Sequence, residues 1–153
     1  MKGKETFRTV RGYQLLQQES EELTSAMEDY LEMIYRNSLE SGLLRSNMLS
    51  KLLNVHPSSV TKMLQKLNSL GYVDYQKYGL IFLSQKGRRV GEFLYHRHNI
   101  IQNFLNFIGN DENSLSETEL IEHHISSATL ENIEHFISFI EKNPDIAERF
   151  QTY

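Results

Sequence analysis

The chain has 153 residues, enough for one domain of usual size or two small ones, and its 39% hydrophobic content suffices for a globular interior. No run approaches the about 18 consecutive apolar residues that cross a bilayer, and no apolar signal-peptide core follows the polar start Met1-Lys2-Gly3-Lys4-Glu5, so a soluble, cytoplasmic protein with no membrane partner is expected. The lack of cysteine excludes disulfides, thiol nucleophiles, iron–sulfur clusters and thiolate zinc sites, which leaves oxygen and imidazole nitrogen to hold any metal.

The net charge of −4 is unevenly placed. Between Lys51 and Gly91 the bases Lys51, Lys62, Lys66, Lys77, Lys86, Arg88 and Arg89 oppose Asp74 alone, whereas from Asp111 onward ten acids face only Lys142 and Arg149. A basic middle and an acidic end suggest one part that meets phosphate and another that meets a cation; two differently charged solvated surfaces fit equally.

Residues 1–23 are polar and rich in Gln and Glu, and read as a flexible extension or a loosely docked helix. A firmer helix is predicted from Thr24 or Ser25 to about Leu39, with a capping box of Ser25 and Glu28 and an apolar stripe of Met27, Tyr30, Leu31 and Ile34. Asp29 and Glu32 lie three apart on the other side, where a solvated face is the ordinary reading. Gly42 breaks the pattern, and Ser46 to Leu53 resumes it as a short helix.

Asn54-Val55-His56 is then a tight turn, and Pro57 sits where proline is favoured, at the first position of the next helix. Val60, Met63, Leu64, Leu67 and Leu70 form its stripe, which leaves Ser58, Ser59, Thr61, Lys62, Gln65 and Lys66 on the opposite side up to Gly71. Two helices joined so tightly match a helix-turn-helix whose second helix enters the major groove of DNA, although any helical hairpin shows similar spacing. The first turn, opened by Pro57, would offer backbone N–H groups to phosphate, and the hydroxyls of Ser58, Ser59 and Thr61 would reach base edges, with charge from Lys62 and Lys66 and Gln65 beside them. Tyr72-Val73-Asp74-Tyr75 and Leu80-Ile81-Phe82-Leu83 are β-prone and flank Gln76-Lys77-Tyr78-Gly79, a hairpin that turns the motif into a winged helix with Lys77 at the wing tip.

Ser84 caps a long helix predicted to reach about Ile108. His96 and His98, two apart on it, cannot chelate one ion together. After a loop at Gly109-Asn110-Asp111, a helix beginning near Ser116 carries Glu119, Glu122 and His123, whose spacing puts two carboxylates and an imidazole on one face, half of a metal site. Ser116 and Glu119 also form a capping box, so a solvated helix start remains open. Ala128 to Glu141 is the last substantial helix, with a broad apolar face of Leu130, Ile133, Phe136, Ile137 and Ile140 suited to a core or a homodimer, and Pro144 ends it.

Four motifs in order carry a resemblance: Met27-Glu28-Asp29-Tyr30-Leu31-Glu32-Met33-Ile34-Tyr35, Val55-His56-Pro57-Ser58-Ser59-Val60-Thr61-Lys62-Met63, Tyr95-His96-Arg97-His98 and Ile121-Glu122-His123-His124. Between Ser25 and Ile140 the chain resembles the manganese transport regulators, the short two-domain branch of the diphtheria toxin repressor (iron-dependent repressor) family. The resemblance implies a mainly α fold with a small β-hairpin wing: an N-terminal winged helix-turn-helix DNA-binding domain over 24–92 and a C-terminal α-helical metal-binding and dimerisation domain over 93–153, after the extension 1–23. It implies a metal-activated homodimeric repressor of metal-uptake genes, bound to double-stranded, pseudo-palindromic operator DNA. Its metal ligands carry over onto Asp29, Glu32, His98, Glu119, Glu122 and His123, with His124 left out.

The positions of Asp29 and Glu119 typically hold sulfur-bearing residues in the iron-responsive branch, and an all-oxygen and imidazole set suits Mn²⁺ or Fe²⁺, without excluding other divalent cations that bind tighter. Two Mn²⁺ per subunit would match the four carboxylates, and the resemblance implies a binuclear site with bridging carboxylates. The chain departs from its relatives in a longer N-terminal extension, a wing one residue short between Tyr78 and Gly79, and Leu120 where a small residue is common; a third, SH3-like domain of the longer branch is not expected. Two competing readings are a metal-dependent hydrolase, disfavoured by the lack of a His-Glu-x-x-His motif, nucleophile elbow or phosphate loop, and a winged-helix regulator that senses an organic ligand.

Overall fold

Residues 10–40, 42–109 and 112–153 are described in a computed structural model of the chain. Of the residues expected as a flexible extension, Val10–Ser20 form helix α1, while residues 1–9 lie outside the described residues. The chain divides into one unit of Gln18–Tyr95 and another of His96–Tyr153 with the described part of the first 17 residues.

In the first unit, helix α2 (Ser25–Glu40) buries the stripe Met27, Tyr30, Leu31 and Ile34, as its spacing requires. The cap is Thr24 rather than Ser25: Thr24 Oγ1 accepts from the Met27 N–H at 3.3 Å, and Thr24 O from the Glu28 N–H at 2.9 Å. Helix α3 (Ser46–Leu53) ends on Asn54 in the left-handed conformation at φ 51°, which turns the chain directly into helix α4 (Pro57–Ser69). Leu49 of α3 and Val60, Leu64 and Leu67 of α4 are fully buried, each contributing about 1.5–3 kcal/mol of apolar transfer.

The wing is part of a three-stranded antiparallel sheet in the order β1-β3-β2, built from β1 (Leu44–Arg45), β2 (Val73–Tyr75) and β3 (Leu80–Leu83). The predicted hairpin pairs Val73 with Leu83 and Tyr75 with Ile81, and a short 3₁₀ turn at Lys77–Gly79 fills its tip. Strand β1 has no counterpart in the sequence reading: two residues are too short to alternate, and its existence depends on β3 lying beside it.

Tyr72, fully buried, ties α4, the sheet and helix α5 (Gln85–Phe107) together. Its N–H donates to Leu67 O at the end of α4, and its carbonyl accepts from the Ser84 N–H at 3.1 Å and the Ser84 hydroxyl at 3.0 Å. Its phenol donates to Glu22 Oε1 at 2.6 Å, and the Lys86 ammonium, itself bonded to Glu22, lies 4.2 Å from the ring centroid. The backbones of α5 and Tyr72 approach so closely that a Cβ on Gly87 would lie 1.8 Å from Tyr72 O.

The second unit contains the last turns of α5 and helices α6 (Ser114–Ile121), α7 (Ser127–Lys142) and α8 (Pro144–Gln151). Ile100, Ile101 and Leu105 of α5 are buried with Leu130 and Ile140 of α7. Two expectations are corrected here. Helix α6 starts at Ser114, two residues before the capping box, and the Ser116 hydroxyl donates to Asn113 O instead of capping. Pro144 ends the preceding helix but also opens α8 from its first turn, where its missing N–H costs nothing, and Phe150 of α8 stacks on Phe107 at 4.9 Å between centroids.

Candidate metal centre and nucleic-acid face

On α4, Pro57, Ser58, Ser59, Lys62, Gln65 and Lys66 are exposed, and Thr61 is half-buried with its hydroxyl on Pro57 O at 3.2 Å. The first-turn amides are already engaged, contrary to the expectation that they would be offered to phosphate: the Ser58 N–H donates to His56 Nδ1, and those of Ser59 and Val60 donate to His56 O. What this helix presents is therefore side chains. At the wing tip Lys77 is exposed, and Tyr78, 86% exposed, adopts the left-handed conformation at φ 63°. Arg45 holds that residue by donating to its carbonyl at 2.9 Å, a contact between positions 33 residues apart that no local pattern announces.

Asp29 and Glu32 lie on α2, one exposed and one buried. Glu32 Oε1 accepts from Arg36 Nη2 one turn later, a spacing visible in the sequence but not singled out there. The Arg36 guanidinium also lies 5.4 Å from the centroid of the Tyr95 ring, which anchors the cation that holds Glu32.

In the second unit the carboxylate of Glu122 is 1% exposed and lies between two imidazoles. His98 Nδ1 is 2.8 Å from Glu122 Oε2, and His123 Nε2 is 3.8 Å from Glu122 Oε1. The three come from different local structures: His98 faces inward from α5, Glu122 is the C-terminal cap of α6, and His123 follows it in a turn. The predicted trio thus stands at the end of a helix rather than near its start, and Glu119, within α6, is exposed. His124 is exposed, and His96 is engaged elsewhere with Glu134 at 2.9 Å.

The Glu122 carboxylate against Nδ1 orients the His98 ring, and Nε2 is the ring nitrogen that would ligate a cation. A carboxylate that orients an imidazole in this way is a recurrent arrangement in metal sites, and oxygen and imidazole donors without sulfur fit a borderline or hard divalent ion. Sequence reasoning passed over Arg97, which is 6% exposed and has Nη2 3.4 Å from His123 Nδ1. Its only available signal was its place between two histidines in His96-Arg97-His98.

Residues 22–80 match the family described as iron dependent repressor, N-terminal DNA binding domain, and residues 84–151 match iron dependent repressor, metal binding and dimerisation domain. An HTH-type transcriptional regulator MntR of Oceanobacillus iheyensis is 43% identical over 77% of this chain and 81% of its own length, and one from Lysinibacillus sphaericus is 40% identical over 84% and 93%. Among solved structures, the manganese regulator SloR superposes with a TM-score of 0.66 at 27% identity over 74% of this chain, and T. acidophilum IdeR with 0.62 at 27% over 71%. The chain spans about half the length of those two, 54% and 53%. With a DNA-binding and a metal-binding, dimerising half matched in order, the chain belongs to the iron-dependent repressor family and is a metal-dependent DNA-binding transcriptional regulator, not an enzyme.

Proposed function

We propose that this regulator is a cytoplasmic, Mn²⁺-responsive repressor of metal-uptake genes, with Fe²⁺ as a second activating ion, that binds a pseudo-palindromic operator as a homodimer. The observation that carries the metal reading is the buried Glu122 carboxylate, with His98 Nδ1 on one oxygen at 2.8 Å and His123 facing the other at 3.8 Å. The MntR names of the relatives support Mn²⁺, and so does a donor set free of sulfur.

In this reading Asp29 and Glu32 of the DNA-binding half (24–92) and His98, Glu119, Glu122 and His123 of the dimerising half (93–153) hold the metal, two ions per subunit. Bound divalent cations supply the positive charge that lets four carboxylates share one site. The chain's own part is to present those carboxylates from both halves, so that the halves are held in one arrangement only when the charge is neutralised. Pro57, Ser58, Ser59, Thr61, Lys62, Gln65 and Lys66 face the major groove and Lys77 the adjacent backbone, at a recognition-helix spacing suited to two half-sites. Linkage then requires operator DNA to raise metal affinity by the factor by which metal raises DNA affinity.

The test is selection of binding sites from a randomised duplex library in Mn²⁺, followed by mobility shifts of the winning duplex with Mn²⁺ and with EDTA. The reading predicts binding that EDTA abolishes, and a response weakened in His98→Ala and Glu119→Ala. Binding indifferent to Mn²⁺ and EDTA would favour the organic-ligand reading instead.

A further inference from the structure

Arg97 and His123 carry a consequence for the metal switch that depends on counting lone pairs. Arginine has five N–H donors and no acceptor, and it stays protonated in proteins. Its Nη2 lies 3.4 Å from His123 Nδ1 in hydrogen-bonding geometry, so Nδ1 is the acceptor and bears no proton. The neutral ring then carries its single proton on Nε2, the nitrogen 3.8 Å from Glu122 Oε1. A neutral imidazole has one free lone pair, and in His123 the guanidinium takes it.

A metal ion needs the same lone pair. Coordination at Nδ1 displaces Arg97 directly. Coordination at Nε2 would require the ring proton to be on Nδ1, where a donor N–H would face a donor N–H. On either route the Arg97 bond and the metal bond exclude each other. His98 meets a different group at the same ring position, since its Nδ1 faces the Glu122 carboxylate at 2.8 Å. Glu32 differs too: a carboxylate that accepts from Arg36 keeps further lone pairs, so that contact does not exclude a ligand role.

We propose that Arg97 is a built-in competitor at the metal centre: a buried guanidinium that donates to the His123 lone pair and must be displaced before His123 can coordinate. The proposal rests on the metal reading above. It makes Arg97 a residue that sets the metal concentration at which the regulator responds, and it makes His123 the gated imidazole.

The test uses the EDTA-treated full chain with ¹⁵N-labelled histidine. Long-range ¹H–¹⁵N correlations of the wild type are expected to show His123 as the Nε2–H tautomer and His98 as the Nδ1–H tautomer, with His123 losing its fixed tautomer in Arg97→Met. Titration of Mn²⁺, read by loss of the free-ion EPR signal, is expected to show Arg97→Met binding about three- to tenfold tighter than wild type, the span of one modest hydrogen bond. A wild-type His123 with its proton on Nδ1, in a protein that still binds Mn²⁺, overturns the competitor role and leaves the metal reading standing. Unchanged or weaker Mn²⁺ binding by a folded Arg97→Met does the same. No Mn²⁺ uptake by wild type overturns both.

Discussion

Replacing Gly87 with alanine tests whether the contact between Tyr72 and α5 organises the DNA-binding half. Helix propensity alone favours alanine over glycine in the first turn of α5 by at most about 1 kcal/mol. Against it, the added Cβ would lie 1.8 Å from Tyr72 O, where contacts under 3.0 Å are essentially not seen, so the backbones must part by more than about 1.2 Å. That carbonyl accepts from both the N–H and the hydroxyl of Ser84, and parting weakens two hydrogen bonds worth about 1 kcal/mol each. Overpacking of a filled region adds about 1–3 kcal/mol. The net expectation is a loss of about 2–4 kcal/mol, a large share of the about 5–15 kcal/mol that holds a typical domain. Urea unfolding followed by far-ultraviolet circular dichroism measures it. A variant as stable as wild type, or more stable by the propensity gain, would refute the reasoning.

Acid titration provides a second check, because the bonds from Lys86 and Tyr72 hold the Glu22 carboxyl below its ordinary value of 4.5. A carboxyl with a lowered folded-state pKa contributes stability that is present above its unfolded-state value and lost as pH falls through the lowered one. Glu22→Gln should therefore flatten the stability profile below pH 4.5 and leave its shape near neutrality unchanged, as followed by thermal melts across pH. Glu122→Gln keeps an oxygen for the His98 proton and removes the charge, so the fold should persist while Mn²⁺ affinity falls at least about tenfold in calorimetric titration; unaltered affinity would remove Glu122 from the ligand set. Lys62→Ala and Lys66→Ala should each weaken DNA binding to a similar degree on all sequences and reduce the magnitude of the salt slope by about 1, whereas a sequence-selective loss would mean base contact instead.

The helical frame was legible because its signals are local. Met27, Tyr30, Leu31 and Ile34 repeat at the helical period, and Pro57 and Gly71 punctuate the recognition helix at its two ends. Elements that depend on distant partners were not. Strand β1 is two residues recruited by β3, and Gly87 reads in sequence as a helix weakness, although its missing Cβ is what admits the Tyr72 carbonyl. The misplaced caps have a common cause as well: Ser25-Ala26-Met27-Glu28 and Ser116-Glu117-Thr118-Glu119 fit the capping-box pattern, but in each case the helix starts at or before the serine.

For the metal centre, sequence gives the donor types but not the state of each donor. His98 and His123 are the same residue in a pattern match, yet their Nδ1 atoms meet different groups: that of His98 faces the Glu122 carboxylate, and that of His123 faces a guanidinium that can only donate. A motif of ligands therefore specifies which ions would fit, while on the proposal above a residue beside them, Arg97, would set how readily one ligand engages. If the histidine tautomers prove opposite, the response threshold of this regulator lies partly in a residue that no list of ligands includes.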